Sequence, residues 1–412
     1  MTLLKKHTIL FLLFPASLYC QEKTLESFIS SGLANSPLLN DYRNQLQSTL
    51  LDSARINASY LPQVSATTNN SYAPVINGYG YDNAITNGTN INAVVGVNKS
   101  FVSHRNLENQ YRTIRISGQG IQNTAKISEQ ELRRNIISQY IIVYGDQQQL
   151  IFSAEIYALL KNEDTVLKTL AQKNVYRQTD YLTFLVTLQQ QQLQNIQDSI
   201  QYRYDYSTLN YICGIDDTGT TALKEPDLPV QSLIETGNSI FFRQYFLDSL
   251  KLENERRAID LSYKPKLNAF ADAGYISSLA YDAHKNFGTS IGFGISVPIY
   301  DGKQRKLQYQ KLDIAEQTRQ GYRQFFSKQY TQQIQQLYNQ LTGTTTLLSE
   351  INRQIRYSEG LVNANMKLLM TGDAHITDLV IALNNYMTAR NLLTQNTINR
   401  LQIINQINYW TR

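Results

Sequence analysis

The chain has 412 residues, long enough for two or three globular domains, yet only 17% of them are charged. The formal net charge of +5 comes without a basic stripe or basic residues interleaved with aromatic ones, which excludes a typical nucleic-acid-binding protein. No nucleophile and base stand in a spacing typical of an enzyme, and the histidines lack metal-ligand spacing. We therefore expect no catalytic activity and no cofactor.

Residues 1–20 have the composition of a secretory signal peptide. Lys5 and Lys6 precede a short apolar run that cannot span a bilayer as a helix. Cleavage is expected after Cys20, and acylation of Cys20 as in a lipoprotein is the alternative, which the bulky tyrosine before it disfavours. After cleavage Cys213 is the one remaining cysteine, so no intrachain disulfide is expected.

The first half of the mature chain predicts two strands set between helices. Helical spacing covers residues 24–35 and continues to about residue 60, and period-two alternation covers about 62–74 and 90–102. A long helix at about 104–174 and a return helix at about 180–213 follow. At the rise of an α-helix, the long helix would extend roughly 105 Å, a length typical of a coiled coil.

The second half repeats this order after a predicted linker. Residues 214–231 contain Gly, Asp, Thr and two prolines, which predict the linker. The elements then predicted are a helix at 232–262, strands at about 265–278 and 287–300, a long helix at about 302–370 and a return helix at about 374–410. We predict a two-fold internal repeat of helix, strand, strand, helix and helix, with residues 21–213 and 232–412 as its two copies.

The strand at residues 287–300 has the clearest pattern in the chain. Bulky apolar residues from Phe287 to Ile299 alternate with glycine, serine and other small residues, without a charge. About thirteen such residues exceed the length of most soluble strands and suffice for a tilted membrane strand. The pattern ends at Asp301 and Gly302, which we predict to mark the junction between a membrane barrel and a helix.

Four membrane strands cannot close a barrel alone, and an open sheet edge cannot face lipid. Three copies of the chain would supply twelve strands, an even number that leaves room for a polar lumen. The small and polar strand faces, with Asn268 and Asp272, are predicted to line that lumen. The fold predicted is mainly α with membrane β: a trimeric 12-stranded β-barrel continued by a long α-helical coiled-coil barrel.

Four segments together resemble the TolC-type outer-membrane efflux proteins, the outer membrane factor family. They are TLESFI with LANSP near the start, the stretch Ala58–Val64, the stretch SVPIYDGKQRK and the stretch Gly372–Leu379. The resemblance covers essentially the whole mature chain. It implies a homotrimeric barrel in outer-membrane lipid, a periplasmic helical tunnel, and docking to a periplasmic adaptor (membrane fusion) protein and an inner-membrane transporter of the RND or ABC type.

The function favoured is a passive exit duct of a tripartite efflux or type I secretion system, which would export small molecules or proteins. The alternative is a non-conducting trimeric coiled-coil envelope or adhesin-like protein. The cargo stays open among drugs, metals and proteins.

The helical turns at residues 174–182 and 370–376 are predicted to be the ends farthest from the membrane. Their candidate adaptor contacts are Arg177, Gln178, Thr179, Thr371, Gly372 and Asp373. The alternative is that these residues only reverse the chain direction. The first turn itself is expected near residues 177–180, with Gln178 or a neighbour in place of the turn glycine.

The resemblance places Asp378 just inside the tunnel entrance, where three copies would ring the axis. The alternative is a carboxylate that stabilises a helix start. In the first repeat Phe184 aligns with Asp378, and Asp180 is expected to compensate from nearby.

Overall fold

The computed structural model describes residues 23–81, 88–232, 239–279 and 282–411. The predicted signal peptide and Cys20 lie outside them. The described chain is mainly helical with one small antiparallel sheet, which confirms this part of the predicted fold class. The elements, in chain order, are α1 (Leu25–Asn35), α2 (Pro37–Ser59), β1 (Gln63–Tyr72), β2 (Thr89–Phe101), α3 (His104–Gln172), α4 (Gln178–Cys213), α5 (Ile240–Ser262), β3 (Lys266–Ser277), a 3₁₀ turn (Ala283–Lys285), β4 (Phe287–Ser296), α6 (Gln304–Thr371) and α7 (Ile376–Trp410).

Most elements end within about four residues of the predicted ends. The exception is α5, which was predicted from residue 232 but begins at Ile240, and residues 233–238 of that prediction lie outside the described residues. β4 ends at Ser296, and residues 297–300 carry no strand pairing. One reason is Pro298, which has no N–H to donate to a neighbouring strand. The return helices α4 and α7 begin at Gln178 and Ile376, each two residues from the predicted start.

The sheet has the strand order β1-β2-β3-β4, and its three pairs are antiparallel. Residues directly opposite each other in an antiparallel pair lie on the same face. The register places Ser65 opposite Gly96, Gly96 opposite Asp272, and Asp272 opposite Ser290. The predominantly polar and small rows of all four strands therefore coincide, and so do the predominantly apolar rows.

We call these two sides the polar face and the apolar face. The polar face includes Gln63, Ser65, Thr67, Asn69, Asn92, Asn98, Asn268, Asp272 and Ser290, and the apolar face includes Val64, Ile91, Val95, Val97, Leu267, Phe287, Ile291, Phe293 and Ile295. Phe270 is an exception, because it lies on the polar face opposite Gly292. A Cβ atom on Gly292 would come within 2.5 Å of the Phe270 ring, so the glycine leaves room for that ring.

The chain divides into two compact units. Of the described residues, the hairpin unit comprises 23–36, 132–230 and 337–408, and the strand unit comprises those within 37–131, 231–336 and 409–411. Each unit takes residues from both predicted repeats, because α3 and α6 contribute to both units. None of the described helices has the length and apolarity needed to cross a membrane.

Outside the sheet, aromatic rings and amide hydrogen bonds hold the strand unit together. Phe242 packs edge-on against Tyr330, with the ring centroids 5.4 Å apart, and the Tyr330 hydroxyl donates to the backbone oxygen of Trp410 at 3.0 Å. The buried Asn254 of α5 donates to the backbone oxygen of Asn109 in α3 at 3.2 Å. These contacts position the helices that precede and follow the strands.

The hairpin unit contains an apolar core formed by α3, α4, α6 and α7 near their turns. We call this core the turn cluster; its buried residues are Phe152, Ile156, Leu160, Leu167, Tyr176, Phe184, Val362, Leu369, Ala374, Ile376, Leu379, Ala382 and Leu383. Burial of several large side chains in one core is the main source of stability in such a bundle.

The predicted linker at 214–231 has no helix, but it packs closely against the hairpin unit. Leu223 is 2% exposed; its backbone N–H donates to the Gln147 side chain at 2.7 Å, and its carbonyl accepts from that side chain at 3.2 Å. The Tyr140 hydroxyl donates to the backbone oxygen of Lys224 at 2.6 Å. The predicted linker is therefore anchored to α3 by apolar residues such as Leu223.

Candidate functional site

The two helical hairpins reverse direction through the same backbone arrangement. Asn174 follows α3 with φ +59°, and Gly372 follows α6 with φ +80°. Their backbone N–H groups donate to Ala171 at 3.0 Å and to Leu369 at 3.3 Å, respectively. A left-handed residue with this bond is the usual way to close a helix end. Turn 1, residues 173–177, and turn 2, residues 372–375, thus have the same design.

The next residue of each turn makes the second bond of this motif. Val175 donates its backbone N–H to Leu170 at 3.0 Å, and Asp373 donates to Leu368 at 3.0 Å. Gly372 lies 198 positions after Asn174, and Asp373 lies 198 positions after Val175, so the two turns align at a separation of 198 residues. The left-handed position of turn 1 is therefore filled by Asn174, which tolerates this conformation better than most residues.

This alignment corrects the expectation for turn 1. The chain reverses within residues 173–177, mostly before the predicted residues 177–180, and Gln178 is the first residue of α4 and not the counterpart of the turn glycine. At a separation of 198, the counterpart of Asp378 is Asp180 and not Phe184. Phe184 is fully buried in the turn cluster.

Asp378 stabilises the start of α7. Its carboxylate accepts the backbone N–H of His375 at 3.1 Å, and the residue is exposed. Asp180 occupies the corresponding first turn of α4 and is half-buried. Carboxylates in the first turn of a helix interact favourably with its free N–H groups.

The structure brings turn 1 and turn 2 together. The buried hydroxyl of Tyr176 donates to the backbone oxygen of Leu369 at 2.7 Å, and this same oxygen accepts the N–H of Gly372. The six predicted contact residues are exposed around this bond: Arg177, Gln178, Thr179, Thr371, Gly372 and Asp373. Tyr176 was not among the predicted site residues, because no sequence pattern distinguishes it from a surface tyrosine of a turn.

On the sheet, the two predicted lumen residues share the polar face. Asp272 accepts a hydrogen bond from the Ser290 hydroxyl at 2.6 Å, and Asn268 stands opposite Gly294. The apolar face is uncovered in the single chain: Ile291 is 88% exposed and Phe293 is 78% exposed. Exposed apolar patches of this kind mark contacts with a membrane or another protein.

Asp301 caps the start of α6. Its carboxylate accepts the backbone N–H groups of Lys303 at 2.9 Å and Arg305 at 2.7 Å, and the hydroxyl of Tyr263 at 2.6 Å. These hydrogen bonds hold the pKa of the Asp301 carboxyl below its usual range, and the bond from Tyr263 contributes most to this shift. Gly302 follows with φ +65°, so the two residues predicted as a junction lie directly before a helix start.

A second hydrogen bond recurs where strands meet helices. The Tyr309 hydroxyl donates to Asp260, and the Tyr111 hydroxyl donates to Asn57. Each bond joins a long helix that follows a strand to a short helix that precedes one. A tyrosine of the long helix therefore anchors each strand-bearing segment; its hydroxyl donates to a carboxylate in one segment and to an amide in the other.

No family model and no curated protein matches this chain. Solved structures do match it. The outer membrane protein VceC from Vibrio cholerae has 11% identity and a TM-score of 0.72, over 94% of this chain and 96% of that chain. The open-state MtrE outer membrane channel of Neisseria gonorrhoeae has 10% identity and a TM-score of 0.73, over 94% and 88%. The CmeC outer membrane channel of Campylobacter jejuni has 12% identity and a TM-score of 0.70, over 94% and 85%.

The chain has the TolC-type outer-membrane channel fold. Each of these three structures matches 94% of the chain, so the similarity includes both the sheet and the long helices. In the described residues, no group of three or more His, Cys, Asp or Glu side chains is placed to hold a metal ion.

Position 372 of turn 2 needs a residue that tolerates positive φ, whereas position 360 inside α6 does not. We expect Gly372→Ala to destabilise the hairpin unit by about 1–2 kcal/mol, because an L-residue is strained at positive φ. The matched control is Gly360→Ala in α6, where a Cβ would meet nothing within 4 Å. This control is expected to stabilise the helix by about 0.5–1 kcal/mol. Thermal unfolding of the purified variants measures both, and a shift of the same sign in both contradicts the assignment.

Proposed function

We propose that the protein is a passive exit duct of the outer membrane, which exports small molecules or proteins in a tripartite efflux or type I secretion system. The observation that carries the proposal is the sheet register, because it separates a polar and small face from an apolar face with large exposed side chains. A barrel wall with water inside and lipid outside needs this separation. The channel fold supports the same location, with the helices in the periplasm.

The duct is proposed to be a homotrimer. Among the described strands, β1 and β4 each pair on one side only. β4 of one copy can therefore pair with β1 of the next, and three copies would give a barrel of twelve strands. Helix α2 supports this assembly, because none of its residues is buried in the single chain and Leu50 and Leu51 are both 71% exposed. A neighbouring copy would cover such a helix.

Turn 1 and turn 2 are proposed to face a periplasmic adaptor protein, and an inner-membrane transporter of the RND or ABC type would supply the work. The exposure of all six turn residues supports this role. Asp180 and Asp378 occupy equivalent positions, so a trimer would carry six carboxylates near the periplasmic entrance. Such a ring attracts cations.

Two adjacent residues on opposite faces of β4 test the barrel assignment. Wild-type protein is expected to conduct ions across planar lipid bilayers. Ile291→Lys places a charge on the lipid side and is expected to impair insertion by about 2–4 kcal/mol if it lies near the bilayer centre. Ser290→Lys, the matched control, lies on the polar face, and we expect it to insert and to reduce the preference for cations.

Folded wild-type trimer without conductance would contradict the duct and favour the non-conducting envelope protein. Equal insertion of the two lysine variants would contradict the assignment of the faces. A monomer that does not associate with membranes would contradict both the trimer and the barrel.

A further inference from the structure

A cavity of about 600 Å³ lies beside turn 1. Lys168 of α3, Arg177 of turn 1 and Tyr181 of α4 contribute to its lining. Val175 also lines it and is 51% exposed, although it is apolar. The cavity thus combines long cationic side chains with an apolar surface, the composition of a site for a charged peptide segment.

Turn 1 and its flanks carry more positive than negative charge, because three cations precede the single carboxylate of Asp180. Lys168, Lys173 and Arg177 are exposed, and none of them makes an ion pair with a residue in the part of the chain that the structure describes. Residues 168–178 contain these three cations and no carboxylate. The nearby Asp164 carboxylate is engaged by the Tyr181 hydroxyl at 2.9 Å.

Turn 2 has the same backbone but not the same charge. The equivalent residues 366–376 contain Lys367, Asp373 and His375, so lysine and aspartate balance each other. Because the helix ends and the backbone bonds agree between the two turns, the chain-reversal function does not require cations. The excess positive charge of turn 1 therefore needs another explanation.

We propose that turn 1 binds an acidic segment of the periplasmic adaptor, with Lys168, Lys173 and Arg177 pairing with its carboxylates and Val175 contacting its apolar side chains. This inference rests on the proposed function that both turns face the adaptor, and it assigns recognition of the acidic segment to turn 1. Arginine and lysine next to an open cavity can form charge-assisted hydrogen bonds with carboxylates. The partner segment is expected to carry glutamate or aspartate beside an apolar residue.

The test uses the full-length protein in detergent and a fluorescent poly-L-glutamate peptide as the probe. Lys168→Glu, Lys173→Glu and Arg177→Glu combined are expected to weaken peptide binding about tenfold or more. The matched control combines Arg203→Glu, Lys224→Glu and Lys367→Glu, three exposed cations of the hairpin unit with the same change in net charge. We expect the control to retain most of the affinity, and raising the ionic strength should weaken wild-type binding.

Equal losses in the two triple variants would mean that only net charge matters and would overturn the proposal. Undiminished binding by the turn 1 variant would also overturn it. Circular dichroism and size-exclusion chromatography verify that the variants fold.

A second readout locates the peptide. Cys213 is buried, so a cysteine introduced at Val175 can be labelled selectively in the mature chain with an environment-sensitive dye. The dye at Val175→Cys is expected to respond to poly-L-glutamate, whereas a dye at Ile200→Cys, an exposed position on α4, is not. A response at both positions, or at neither, contradicts binding at turn 1.

Conductance separates this inference from the proposed function. The turn 1 triple variant is expected to conduct in planar bilayers without poly-L-glutamate, as wild-type does. Loss of peptide binding with retained conductance supports both proposals. Wild-type protein that binds the peptide at turn 1 but does not conduct would overturn the duct and leave the acidic-segment site standing.

Discussion

Replacing Phe184 by alanine is expected to lower the free energy of unfolding of the hairpin unit by about 3–5 kcal/mol. The Phe184 side chain is fully buried in the turn cluster, between residues of α3, α6 and α7. Its removal leaves a cavity that the neighbouring helices cannot fill without moving. Thermal unfolding of the purified protein, with hydrogen exchange of the turn segments, measures the loss.

Leu182→Ala is the matched control for this prediction. Leu182 lies two residues earlier in α4 and is 52% exposed, so its truncation is expected to cost less than about 1 kcal/mol. Similar losses from both substitutions would contradict the burial of Phe184. If Phe184 instead lined a water-filled entrance, as a true counterpart of Asp378, its truncation would leave the unfolding temperature nearly unchanged.

Asp146→Asn is expected to raise the unfolding temperature at pH 8 and to leave it nearly unchanged at pH 4. One oxygen of the Asp146 side chain is buried without a hydrogen-bond partner, and the carboxylates of Asp205 and Asp198 lie close by on α4. Burial contributes most, followed by a side-chain hydrogen bond with Asp205 and by the negative charges of Asp205 and Asp198, and together they raise the pKa of Asp146 to about 7.

The sign of the pH effect follows from this shift. In the unfolded chain an aspartate ionises near pH 3.8, whereas in the folded chain Asp146 keeps its proton up to about pH 7. The stability that the protonated group contributes is therefore complete below the unfolded pKa and is lost as the pH rises through the folded pKa. The difference in unfolding temperature between Asp146→Asn and wild-type should grow across this window and stay constant above it.

Asp216→Asn, which removes an exposed carboxylate of the same unit, is the control and should show no such growth. A difference between Asp146→Asn and wild-type that does not depend on pH would contradict the shifted pKa. It would mean that the amide stabilises the site only through its own hydrogen bonds.

Several features of the fold could be predicted from the sequence because they are local. The alternation from Phe287 to Ile299 assigns each side chain of β4 to one of two faces, since successive residues of a strand point in opposite directions. Long stretches with helical spacing and no proline predict α3 and most of α6. The break of the strand pattern at Asp301 and Gly302, followed by a helical pattern, predicts the junction before α6.

The register of turn 1 could not be obtained in this way. Matching the two halves by apolar spacing aligned Phe184 with Asp378, whereas the hydrogen bonds of the turns align Asp180 with it. The two alignments differ by four residues, which is close to one helical turn. A slip of one turn returns apolar residues to the same side of the helix, so periodicity alone does not distinguish them.

By itself, the sequence determined the secondary structure of this protein and the two faces of each strand, because both depend on neighbouring residues along the chain. Only the tertiary structure decided which residues come together: the coincidence of the polar rows across the sheet, the bond from Tyr176 to Leu369, and the packing of Leu223 against α3. These contacts join residues far apart in the sequence. Their geometry depends on strand register and helix packing, which single-residue periodicity does not encode.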